Sequence, residues 1–79
     1  MTVFEVVKNV IVEIKDLPED QITLASRFDE DLEADSLDIV EMLMLLEEKY
    51  DIQIPEEAAE GMKTVQEVVT YVSEKVDQA

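Results

Sequence analysis

Apolar residues recur every three or four positions in the first stretch of the chain, the spacing of one face of an α-helix. These positions are Val3, Val7, Val10 and Ile14. Thr2 and Glu5 form a capping-box pattern before them, which marks a helix start. Lys15 suits the negative end of the helix dipole, and Pro18 follows shortly after. We predict a helix over residues 2–15.

Residues 16–35 form a connection of a length that is uncommon in compact domains unless it is functional or packed by its own side chains. Its apolar residues are sparse. We expect Ile22 and Phe28 to fasten it to the core, with a short helical turn near Pro18–Gln21.

A second helix is predicted over residues 36–50, with apolar residues on more than one face. One interpretation is a central helix packed on two sides. The other is a helix that buries one face and offers the stripe Leu37, Val40 and Met44, at spacings of three and four, to a partner. The pattern leaves both open.

Two helices are predicted in the last third of the chain. A short one covers residues 56–61, with Pro55 in its first position and Gly61 past its end. Thr64 and Glu67 form a second capping box that opens a helix over residues 64–77. The fold class is therefore all-α, a small four-helix bundle of three longer helices and one short one, in a single domain over 1–79.

Composition limits the function. The chain has 79 residues, no cysteine and no histidine, so it has neither a disulfide nor a thiolate metal site. Its formal charge of −15 disfavours nucleic acid and anionic membranes and favours basic protein surfaces. There is no apolar run of about twenty residues that could span a bilayer. Because the N-terminus lacks a secretory or transit pattern, we expect a cytoplasmic protein, although a mature organellar form would look the same.

The acidic residues Asp29, Asp31 and Glu33 alternate like the start of a calcium loop. That loop would need glycine where Ala34 stands and a bidentate glutamate where Val40 stands. We therefore expect no specific metal site and only diffuse binding of divalent cations. With no nucleophile–base pair and no glycine-rich phosphate loop, the chain is not expected to be an enzyme.

Ser36 stands at the head of the second helix, and two roles suit it. Its oxygen could cap the helix by accepting from an unpaired amide. It could instead carry a modification, because the positive end of the helix dipole favours an attached phosphate. Without histidine there is no imidazole to make this serine a nucleophile.

The motif Asp35-Ser36-Leu37, within Leu32–Glu41 and followed by Leu46–Tyr50 and Ile54–Glu57, resembles the acyl carrier proteins of dissociated fatty acid synthases. The likeness covers almost the whole chain. It implies that a phosphopantetheinyl transferase attaches 4′-phosphopantetheine to Ser36 as a phosphodiester, with Asp35 and Leu37 beside it as cofactor-binding residues. It also implies that the thiol of this arm holds acyl chains as thioesters. It also implies a monomeric, non-catalytic carrier.

The resemblance further implies an acidic, apolar-centred face for basic enzymes: the transferase, ketoacyl synthase, reductases, dehydratase and acyltransferases. This partner face comprises Leu37, Asp38, Val40, Glu41, Met44, Glu47 and Glu48. It implies an acyl-chain pocket, with ordinary core packing as the competing account. The expected pocket residues are Phe28, Ile39, Met42, Leu46, Ile54, Met62, Val68 and Tyr71.

Three positions depart from the family pattern. Glu33 stands where members usually have glycine, so a positive φ there would strain it. Leu45 and Val68 stand where members often have alanine, and we expect Val68 to shorten or reshape the pocket. Two rival functions remain: a specialised carrier for polyketide, lipid A-type or other dedicated acyl transfer, and an acidic helical interaction module that is never modified.

Overall fold

The computed structural model describes residues 2–77, and over this range it contains four α-helices, one 3-10 turn and no strand. The helices are α1 (Val3–Lys15), α2 (Ser36–Tyr50), α3 (Glu56–Glu60) and α4 (Val65–Asp77). The all-α fold with three longer helices and one short one is confirmed. Of the predicted domain over 1–79, residues 1, 78 and 79 lie outside the described residues.

Side-chain caps mark the starts of α1 and α4. Thr2 Oγ1 accepts from the Glu5 amide at 3.2 Å, and Thr64 Oγ1 accepts from the Glu67 amide at 3.3 Å. Pro55 is the N-cap of α3, not its first residue, because its ψ of 151° is extended. The helices therefore start one residue after each of these caps.

Helix α1 packs against both α2 and α4 and is the helix covered on two sides. Its Val7 and Val10 are fully buried together with Leu46 of α2 and Val68 and Val72 of α4. The interpretation of α2 as a central helix packed on two sides is wrong, because Leu37, Val40 and Met44 stay exposed. No helix within residues 2–77 is both long and apolar enough to cross a bilayer.

The connection between α1 and α2 is held in place as expected. Ile22 and Phe28 are buried, and a 3-10 turn forms at Glu19–Gln21. The Phe28 amide donates to the Lys63 carbonyl at 3.1 Å, beside an isolated antiparallel bridge between Arg27 and Thr64. The connection is thereby joined to the α3–α4 loop, and both lie near the start of α2.

Candidate functional site

Ser36 is the first residue of α2, and the residue before it supplies the cap. Asp35 Oδ1 accepts from the Asp38 amide at 3.0 Å, while Asp38 Oδ2 accepts from the Asp35 amide at 3.3 Å. The interpretation of Ser36 as the cap is therefore wrong. The side chain of Ser36 is exposed, and within residues 2–77 its hydroxyl takes part in none of the hydrogen bonds.

The first turn of α2, which begins at Ser36, contains backbone amides with and without a partner. The Asp38 amide is bound by Asp35, and the Ile39 amide donates to the Asp35 carbonyl at 3.1 Å. The amides of Ser36 and Leu37 have no partner within the described part of the chain. Unpaired amides at the positive end of a helix suit an anion, so a phosphodiester on Ser36 fits this position.

The turn before α2 is held from α1. Lys15 Nζ donates to Asp38 Oδ2 at 3.0 Å and to the Glu33 carbonyl at 3.1 Å. The hydrogen bond from Lys15, followed by that from the Asp35 amide, lowers the pKa of Asp38 below its ordinary value. The Lys15 ammonium group thus bonds to Glu33 and to Asp38, which lie on either side of Ser36 in the sequence.

Glu33 adopts a φ of 52°, in the left-handed region. The strain expected at this position is therefore present, because a left-handed φ suits glycine better than glutamate. Asp16 and Asp51 also have positive φ, but both are helix C-caps, and aspartate tolerates this region better than glutamate.

An open groove of about 390 Å³ lies beside Ser36. Its apolar wall includes three of the expected pocket residues: Phe28, Ile39 and Met62. The remaining lining residues are Asp29, Val40, Glu56, Ala59, Glu60 and Lys63. The volume lies within the range of about 300–1,000 Å³ that is usual for ligand pockets.

The other expected pocket residues lie deeper or elsewhere. Met42, Leu46 and Val68 are buried, and Ile54 is half-buried against the core. Tyr71 lines a separate surface groove on the other side of Met62. The gap bordered by Phe28, Ile39 and Met42 is about 10 Å³, room for one water at most. An acyl chain entering this region would have to displace side chains.

The expected partner face divides into two groups. Leu37, Val40 and Met44 are 78%, 51% and 59% exposed, and Glu41 and Glu48 are exposed beside them.

The other two acidic residues of that face make internal bonds. Glu47 Oε2 accepts from the Ile54 amide at 2.8 Å, and Asp38 is bound as described above. Asp38 and Glu47 therefore hold loops in place, whereas the carboxylates of Glu41 and Glu48 form no hydrogen bond or ion pair with other residues of 2–77.

The acidic connection shows no assembled cation site. Asp31 Oδ2 accepts from the Arg27 amide at 2.8 Å, and Asp29 Oδ1 accepts from the Glu30 amide at 2.8 Å. Among residues 2–77, no three or more acidic side chains are grouped so that they could hold a metal ion.

Sequence reasoning missed Lys15 and Lys63 as site residues. Lys15 lies 23 positions before Asp38, so no helical or turn spacing connects them. Lys63 reaches the groove because the α3–α4 loop bonds to Phe28. In both cases the pairing arises from long-range packing.

Comparison with known proteins agrees with this geometry. Residues 5–72 match the family described as phosphopantetheine attachment site. The chain is 53% identical over 72 residues to an acyl carrier protein of Helicobacter hepaticus, covering 91% of this chain and 95% of the relative. It is 49% identical over 74 residues to an acyl carrier protein of Clostridium perfringens, covering 94% of this chain and 97% of that relative. The chain belongs to the acyl carrier protein family, whose prosthetic group is covalently bound 4′-phosphopantetheine.

Proposed function

We propose that this chain bears 4′-phosphopantetheine on Ser36 and delivers acyl chains to the enzymes of fatty acid synthesis. The exposed Ser36 hydroxyl carries the proposal, because it starts α2 next to two unpaired amides and an apolar groove. In the attachment, the Ser36 oxygen bonds to the phosphorus of the pantetheine arm of coenzyme A. The pyrophosphate bond breaks, adenosine bisphosphate leaves, and the hydroxyl proton passes to a base of the transferase.

The chain's own residues then have distinct tasks. The amides of Ser36 and Leu37 stabilise the phosphodiester, while the Asp35 carboxylate keeps the third amide of α2 satisfied. When bound, the group supplies a thiol that holds acyl chains as thioesters. In this proposal no side chain of the chain catalyses a reaction of the acyl group, so the chain acts as a carrier and not as an enzyme.

The groove offers an acyl chain its first apolar contacts. Phe28, Ile39 and Met62 border it next to Ser36, and Met42 lies directly behind. Methionine has flexible torsions and fills irregular gaps, so the side chains of Met42 and Met62 are the ones that move aside most readily. Deeper entry would have to displace fully buried side chains of the core, which include Leu46 and Val68.

The exposed stripe of α2 provides the docking contacts. Leu37, Val40 and Met44 form its centre, Glu41 and Glu48 its rim, and such an apolar centre with a polar rim is usual at transient interfaces. The charge of −15 attracts the basic enzymes named above, so raised salt should weaken their binding. We expect the chain to work as a monomer in the cytoplasm.

Intact mass tests the attachment. We expect wild type incubated with coenzyme A and a phosphopantetheinyl transferase to gain the mass of one phosphopantetheine group, and Ser36→Ala to gain none. Ser73→Ala on α4 is the matched control and should behave like wild type. Wild type that never gains this mass, or a modified Ser36→Ala, would contradict the proposal.

The natural acyl load tests the pathway. Chain isolated from its native cell and cleaved at the thioester should release saturated and 3-hydroxy acyl chains of graded length. A single unusual acyl group would favour the specialised carrier, and consistently unmodified protein would favour the interaction module.

A further inference from the structure

The ammonium group of Lys15 bonds to both sides of the turn that presents Ser36. It donates to the Glu33 carbonyl at 3.1 Å and to Asp38 Oδ2 at 3.0 Å. Lys15 and Asp38 have only 24% and 26% of their side chains exposed, so solvent screens this pair less than an ordinary surface ion pair.

The residue at the start of this turn needs such support. Glu33 has a φ of 52°, which glutamate adopts only when its surroundings impose it. The Asp35–Asp38 cap that leaves the Ser36 hydroxyl free uses the same Asp38 oxygen that Lys15 binds. A single cation therefore binds the strained residue Glu33 and Asp38, the partner of Asp35 in the capping box.

We infer that Lys15 is a positioning residue for modification of Ser36: it holds the turn in the conformation that the transferase recognises. This rests on the proposed attachment at Ser36. If the turn is competent only part of the time, the apparent KM for the carrier equals the intrinsic KM divided by the competent fraction, while kcat is kept.

The charge of Lys15 makes the test decisive. Lys15→Met keeps the aliphatic stem and removes the cation. A purely electrostatic effect would improve docking to a basic transferase, because the chain becomes more acidic. Loss of positioning would raise KM, roughly fivefold for a partly exposed pair, with kcat unchanged. The two effects have opposite signs.

Lys8→Met is the matched control. Lys8 lies on the same helix, has 19% of its side chain exposed, and pairs with Glu19 at 3.4 Å, away from the turn. We expect its KM to equal or fall below that of wild type. Lys15→Arg should bring the KM most of the way back to the wild-type value, because its guanidinium can also donate to both acceptors.

A second readout does not depend on the transferase. Amide hydrogen exchange at Asp35 and Asp38 should quicken roughly fivefold in Lys15→Met, whereas the Phe28 amide should keep its wild-type rate. Equal KM values and equal exchange rates in Lys15→Met and Lys8→Met would overturn the inference. If wild type gains no mass, the proposed attachment fails, and the exchange rates still decide whether Lys15 holds the turn.

Discussion

Met42, Leu43 and Leu46 lie on one face of α2 and are buried, whereas Leu37, Val40 and Met44 lie on another and are exposed. Both faces use the same kinds of side chain. The buried face packs against α1, which removes its apolar surface from water. Each Å² of apolar surface buried in this way stabilises the fold by about 25 cal/mol. The exposed face has no such neighbour among the described residues. Hydrophobicity thus marks the residues that favour burial, and the packing decides whether the covering surface comes from the same chain.

The largest expected effect contrasts two positions on the two faces. Leu46→Ala removes a fully buried side chain and should lower the free energy of unfolding by about 3 kcal/mol. Met44→Ala, two residues away on the exposed face, should change it by less than about 0.5 kcal/mol. Urea unfolding measures both. Equal losses would mean that the exposed stripe also supports the fold.

Val68 tests whether the buried face can open for an acyl chain. Val68→Ala should cost about 2 kcal/mol of unfolding free energy, because the side chain is fully buried. It should also extend protection of the bound thioester to longer chains, since it removes two methyl groups from the core. Hydrolysis rates of short and long acyl forms measure this. Identical profiles for wild type and variant would refute a role for Val68 in setting chain length.

The exposed face should matter for binding alone. Leu37→Ala is expected to weaken binding to a basic ketoacyl synthase about tenfold, because an apolar contact at the centre of the interface is lost. Its unfolding curve should match that of wild type. Calorimetry gives the affinity, and Thr70→Ala on the exposed surface of α4 serves as control. Unchanged affinity would remove Leu37 from the docking surface.

The turn before α2 belongs to neither face, and its strain predicts a small gain. Glu33→Gly should raise the free energy of unfolding by about 0.5 kcal/mol, because relief of the left-handed strain exceeds the entropy cost of glycine. Asp51→Gly should gain less, since aspartate tolerates its φ of 54° better. Thermal melts compare the variants. A loss of stability in Glu33→Gly would show that the side chain makes a favourable contribution.

The smallest change expected is a pH dependence at the same turn. The folded-state pKa of Asp38 lies below its ordinary value of 3.8, so its contribution to stability is complete above 3.8 and is lost as the pH falls through the folded pKa. Asp38→Asn should therefore be less stable than wild type at neutral pH, with a gap that narrows below 3.8. A gap that does not vary with pH would contradict the ion pair with Lys15.

Local patterns were enough to predict the helices. The Thr2–Glu5 and Thr64–Glu67 caps formed as predicted, because such bonds join residues three positions apart. Ile22 and Phe28 were correctly expected in the core. Aspartate and serine both suit an N-cap, and the extended backbone at Asp35 decided that Asp35 and not Ser36 caps α2.

By itself, the sequence determined which segments become helices and that a serine begins the second one, because these properties depend on neighbours within four positions. Only the tertiary structure decided which face of α2 stays open, that Glu33 takes a positive φ, and that Lys15 reaches Asp38. Those outcomes depend on how α1 packs against α2 and α4, and side chains 23 positions apart meet only through that packing.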